Sequence, residues 1–201
     1  MRCRKDYIDS FVASKEAWIL SRLETMKAYR ESQASFRPVE LMELGFCGER
    51  LRVIPGEGDS ILLDLQRMEI TLPDRSVEEL LPALGKVYKK AGLRFLQQRT
   101  EYWAQIMGIS YNSVRFSSAL KRWGSCSSKG DIRITWMVLF APLSSIDYIL
   151  IHELSHRVHF DHSRDFWTLV AQYCPGYKEE KQRLLALSKE LYSQGWSKKY
   201  N

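Results

Sequence analysis

The chain has 201 residues, 45% of them hydrophobic and 27% charged, a globular balance that excludes a mainly disordered chain. Its longest apolar run, Trp136–Leu143, holds eight residues and Pro142 among them, against the roughly 20 that a bilayer-spanning helix needs. Thirty Lys and Arg against 24 Asp and Glu leave +6, mildly basic and far from the charge of a dedicated nucleic-acid tail.

The opening stretch MRCRKDYIDS has no apolar leader, so no secretory signal is expected. From Asp6 to about Arg30, Ile8, Phe11, Val12, Trp18, Ile19 and Leu23 recur at helical spacing. Four β-like pieces follow, Val39–Leu44, Arg50–Ile54, Ile61–Leu65 and Met68–Leu72, punctuated by Gly45, Gly48 and the Pro55–Gly58 turn. They read as a small antiparallel sheet. Ser76 and Glu79 form a capping box that starts a helix running towards Met107, where Gly108 ends it. A second β region comprises Ser113–Ser117, Lys121–Ser127 and Asp131–Thr135, with a turn at Ser128-Lys129-Gly130. After Pro142, Ser144 and Asp147 are placed to cap a helix through about His159. Further helices are expected over about Ser163–Tyr173 and Tyr177–Ser193, separated by Pro175-Gly176. The most visible seam lies near Pro73. It divides residues 1–75, a helix plus small sheet, from a domain over residues 76–201.

Cys3, Cys47, Cys126 and Cys174 are far apart and form no CxxC pair, which excludes a zinc ribbon and a dithiol redox motif. Reduced thiols in a cytoplasm are the simplest account. From Lys86 to Arg99 five basic residues and no acid occur (Lys86, Lys89, Lys90, Arg94, Arg99). A solvated helix face explains such a run; contact with a polyanion is the alternative.

All four histidines fall between His152 and His162, and His152-Glu153-Leu154-Ser155-His156 is an H-E-x-x-H string inside the expected helix. Positions i and i+4 share a helix face about 6 Å apart, so both imidazoles can close on one metal ion. Glu153, one residue round, lies beside the ion, where it can accept a proton from an activated water. The bland alternative, polar residues on a solvated face, sits badly with Leu150, Ile151 and Leu154 around them, because buried His and Glu need partners. Three candidates exist for a third ligand. His159 would stand in a row with the other two if the helix continued, and such a row wraps one ion poorly. His162 works if the chain turns before it, and Asp161 and Ser163 are N-cap types that support a break there. Glu179 or Glu180 is the third, in a Lys-Glu-Glu-Lys pattern typical of a solvated face. His162 is preferred.

Arg122-Trp123-Gly124-Ser125-Cys126, Asp147 through His156, and His162-Ser163-Arg164-Asp165-Phe166-Trp167 together resemble the YgjP-like family of zinc metallopeptidases, which is related to SprT-like and WLM zincins. The match runs from about Leu80 onwards and takes in Trp18-Ile19, similar to the end of the family's first helix. It departs at the start, where the family's β-strands precede that helix. The resemblance implies a zincin-like fold, one zinc ion per chain on His152, His156 and His162, and Glu153 as catalytic carboxylate. The expected class is therefore α+β, with the HExxH helix packed on a small antiparallel sheet and preceded by a helix and a further small sheet.

Two readings of Arg122 and Trp123 stand side by side. An edge strand beside the metal can pair with an extended peptide, and Arg122 can meet a carboxylate or a developing oxyanion. Alternatively Trp123 packs, Gly124 permits close approach and Arg122 pairs with an acid. Phe166, Trp167 and Val170 are expected to pack the helix after His162 onto the core and hold that ligand, and Cys126 to be an inert thiol. The expected activity is zinc-dependent hydrolysis of an amide in a peptide or protein substrate. Its rivals are a DNA-associated protease or binding module and a non-catalytic zinc scaffold closed by a fourth ligand such as His159 or Cys126.

Overall fold

Residues 5–35 contain neither Gly nor Pro, and nothing interrupts a helix before Phe36-Arg37-Pro38, where Pro38 pushes its predecessor out of the helical region. The computed structural model describes residues 5–119 and 122–196; Cys3 and the first four residues, and Lys121 of an expected strand, lie outside them. It shows this helix, α1, over Lys5–Ser35, ending five residues later than expected. Its apolar stripe is not covered: Phe11, Trp18 and Leu23 are 54%, 62% and 56% exposed, and Trp18-Ile19 falls in the helix middle. The end of α1 is tied down where Gln33 donates to the carbonyl of Tyr192.

The first sheet holds β1 (Glu43–Phe46), β2 (Glu49–Gly56), β3 (Leu62–Asp64) and β4 (Glu69–Pro73), in the order β1-β2-β4-β3. Pro38–Glu40 is a 3-10 turn, so the first strand begins later than the expected Val39. The antiparallel expectation holds for β1–β2 and β3–β4 and is corrected for β2–β4, which pair parallel with Val53 opposite Ile70. Burial gives the reason. Ile70 and Leu72 are fully buried while Leu62 is 62% exposed, so β4 takes an inner place against β2 and weak β3 takes the edge.

α2 (Val77–Met107) begins at the expected capping box and ends on Gly108 in the left-handed conformation at φ 65°. The second sheet holds β5 (Ser113–Ser117), β6 (Gly124–Cys126) and β7 (Asp131–Thr135) in the order β5-β7-β6. Here too the pairing is mixed: β6–β7 is antiparallel and β5–β7 parallel, because β7 inserts between its two predecessors. The Gly130 amide closes the expected turn onto the Ser127 carbonyl at 2.9 Å.

α3 (Leu143–Ser155), α4 (Arg164–Tyr173) and α5 (Tyr177–Ser193) complete the chain. α3 starts after Pro142 with no side-chain cap, correcting the expectation for Ser144 and Asp147. Asp147 instead accepts hydrogen bonds from Arg99 and from the Trp103 indole on α2. One hydrophobic cluster runs through Leu51, Ile70, Leu84, Ile132, Leu150 and Phe166, so the same core reaches both sheets and crosses the seam near Pro73. No described helix is long and apolar enough to cross a membrane.

Candidate metal centre

α3 ends at Ser155, and the chain turns through residues 156–163 before Ser163 caps α4 by accepting from the Phe166 amide. The expected continuation to His159 is therefore corrected: three histidines on one helical row do not form. The break instead brings His162 back over the end of α3. Ligating nitrogens of His152, His156 and His162 all lie within 4.8 Å of one another. His152 Nε2 and His162 Nε2 are 3.1 Å apart, near the ~3.3 Å that two ligands at about 2.05 Å from a tetrahedral zinc subtend.

Aromatic packing supports all three rings and a backbone contact fixes His156, whereas the buried Nδ1 of His152 has no hydrogen-bond partner among the described residues. His156 Nδ1 lies 3.1 Å from the His159 carbonyl oxygen; donating there leaves Nε2 with a free lone pair for a metal. Phe166, fully buried, sits under all three imidazoles with ring centroids 4.9, 4.6 and 4.8 Å from His152, His156 and His162. Trp167 stacks between His162 and Tyr177 at 5.6 and 5.1 Å. Burial, with the positive charge of its histidine neighbours and Lys181, pushes His152 down to about 3, so the ring is neutral at physiological pH. Burial also lowers His156, against its hydrogen bond to His159. Three converging imidazole nitrogens fit zinc, which needs three protein ligands and an open position in a catalytic site.

Glu153 is 5% exposed, and its Oε2 is a buried acceptor without a hydrogen bond. Burial pushes its carboxyl up to about 8, partly offset by the positive charge of Arg122. It stands outside the three-histidine cluster, with its carboxylate against Gly124: a Cβ on that residue would lie inside contact distance of Oε1. Gly124 opens β6, an edge strand with no strand partner on its outer side among the described residues. Arg122 and Trp123 precede it and line, with His152 and Glu153, a cavity of about 790 Å³.

Among the described residues no fourth side chain joins the three histidines. Cys126 is half-buried, with its thiol raised chiefly by burial and directed at the Ser127 carbonyl. Glu180 is buried elsewhere, accepting from Ser145 at 2.6 Å and Arg183 at 2.8 Å. In the basic run, Arg99 is held by Asp147, and Lys86, Lys90 and Arg94 face solvent. Of three further contributors, the Trp167 stack follows the aromatic spacing after His162 and the Gly124 cradle the close approach that its glycine permits, whereas the His159 carbonyl depends on backbone path and has no sequence signal.

Three histidines that could hold a metal ion thus converge at the end of a buried helix, beside a sheet edge. The chain belongs to the YgjP-like family, whose metallopeptidase domain matches residues 1–186. A similar solved structure is that of the metallopeptidase zymogen of Pyrococcus abyssi abylysin, 30% identical over 45% of this chain and 92% of that chain, with a TM-score of 0.43. No curated protein matches.

Proposed function

We propose that the chain is a zinc-dependent peptidase in which His152, His156 and His162 hold the ion and Glu153 is the general base. The observation that carries this reading is the convergence of three imidazoles beside a buried carboxylate that is not part of their cluster. Zinc bound there would polarise the scissile carbonyl and lower the pKa of the attacking water. Glu153 takes the proton from that water and passes it to the leaving amine. Gly124–Cys126, a half-buried strand at the sheet edge, offers main-chain hydrogen bonds to an extended peptide. Arg122, close enough to lower the Glu153 carboxyl, faces the negative charge that develops on the substrate oxygen.

The test is Glu153→Gln. The amide keeps the size of the side chain but cannot accept the proton. Zinc content, by atomic absorption, should stay at one ion per chain, while hydrolysis of a denatured-protein panel should fall by about 10²- to 10⁴-fold. Normal hydrolysis by the variant would remove Glu153 from the mechanism.

A further inference from the structure

The cavity beside His152 and Glu153 is larger than the scissile bond requires. Its volume of about 790 Å³ lies in the range of roughly 300–1,000 Å³ typical of ligand pockets. Its walls are apolar. Tyr148 and Ile149 lie about one turn before His152 on α3, and Trp123, the buried Leu184 and Leu185 also line it.

The rim has a different chemistry. α5 presents Lys178, Lys181 and Leu185 at i, i+3 and i+7, one helix face directed at the cavity. The acids of the same helix turn are outside the lining, and Glu180 is drawn inward by Ser145 and Arg183. Arg122 adds a third cation from the strand side. Glu153, already used by the proposed mechanism, is the only acid among the described lining residues. Lys181 rests over the Trp167 ring, 5.5 Å from its centroid. Among the described residues neither Lys178 nor Lys181 has an ion-pair partner. A solvated helix face normally mixes its charges; this one segregates them, and the cavity mouth is left positive.

We propose, resting on the peptidase reading above, that the cavity selects peptide segments in which a bulky apolar side chain lies next to a carboxylate. The side chain fills the apolar walls, and the carboxylate meets Lys178, Lys181 and Arg122. That carboxylate is either an Asp or Glu side chain or the C-terminus of the peptide; both present the same charge to the same rim.

Binding to the zinc-loaded Glu153→Gln chain, followed by the fluorescence of Trp123 and Trp167, tests this without turnover. Three probes suffice: acetyl-Gly-Leu-Glu-amide, acetyl-Gly-Leu-Gln-amide and acetyl-Gly-Leu-Gln with a free C-terminus. At least one charged probe should bind about tenfold tighter than the neutral amide, as expected for two or three solvent-exposed charge pairs, and the one that does identifies the source. Replacing both Lys178→Gln and Lys181→Gln should erase most of that advantage. Equal binding of all three probes overturns the proposal. So does an advantage that survives both replacements, since the lysines of the rim would then not be what meets the carboxylate. Charge-selective binding by a zinc-loaded wild-type chain that hydrolyses no peptide would sink the peptidase reading and leave this one standing. Hydrolysis without charge preference would do the reverse.

Discussion

Single residues carry the site, and their roles separate cleanly by substitution. His162 converges on His152 and His156 only because the helix stops at Ser155 and restarts after Ser163. His162→Ala should therefore lose most zinc affinity in a competition titration against a chromogenic chelator. His159→Ala should keep it, since only the His159 backbone carbonyl orients His156. The opposite ranking would mean that His159, not His162, completes the site. Gly124 makes a subtler case. Its missing Cβ leaves the space that the Glu153 carboxylate occupies. Gly124→Ala should displace that carboxylate, cutting hydrolysis by at least about tenfold, since misplacing a reacting group by about 1 Å costs that much or more, while zinc content stays unchanged. Unaltered hydrolysis would show that Glu153 can move without consequence. The i, i+4 spacing made the shared face of His152 and His156 legible in the sequence, and the N-cap chemistry of Ser163 the break that brings His162 back to them. For Gly124 the close approach was legible but not its partner, because that depends on which strand comes to lie over α3, a matter of long-range packing.

At the scale of elements, α3 must be held still for His152, and for His156 at its C-cap, to converge with His162. Arg99 on α2 grips both oxygens of Asp147 at 2.5 Å, and the Trp103 indole adds a third bond at 2.8 Å. The carboxylate is mostly enclosed, with 14% of its side-chain surface exposed against 26% for Arg99. Asp147→Ala leaves a half-buried guanidinium without its partner. It should destabilise the chain by about 2 kcal/mol, less than a fully buried pair because Arg99 retains some water. That is a drop in Tm of roughly 4–8 °C for a chain of this size, read by thermal melting; an unchanged Tm would show that the tie is ornamental. The sequence could not distinguish this role from capping, since Asp near a helix start suits both. Helix boundaries were the most legible feature: the capping box at Ser76, Gly108 and Ser163 each act within one turn of the chain. Strand pairing was the least legible. Alternation within β2 and β4 shows that each has a buried face but carries no information on which neighbour runs parallel. For α1 the periodicity identified the helix but said nothing of its surroundings, where Phe11, Trp18 and Leu23 face outward.

Across the whole molecule, the buried groups of the site link folding to pH. His152 ordinarily titrates near 6.5 and in the fold only near 3. Between those values the unfolded chain binds a proton that the folded chain refuses, so this contribution to stability is complete above 6.5 and is lost as pH falls towards 3. Glu153 runs the other way, from an ordinary 4.5 to about 8. The folded chain keeps a proton that the unfolded chain releases, so this contribution is complete below 4.5 and is lost as pH rises to about 8, at a limiting rate of about 1.4 kcal/mol per pH unit. From 4.5 to 6.5 the two slopes oppose and cancel. From 6.5 to about 8 only Glu153 acts, and the metal-free chain should weaken. A divalent cation beside Glu153 favours the ionised carboxylate, so zinc binding releases that proton and the gain in Tm on adding zinc should grow from pH 5.5 to 8. Glu153→Gln isolates the cause. At pH 5 the carboxyl is protonated, and its amide replacement should melt at nearly the same temperature. At pH 8 the metal-free variant should melt higher than wild type, by on the order of several degrees, because it has no buried carboxylate to ionise. Melting curves in chelator at the two pH values decide the matter. A variant less stable than wild type at pH 8 would mean that Glu153 is ionised and well partnered in the metal-free fold, contrary to its buried, unbonded Oε2.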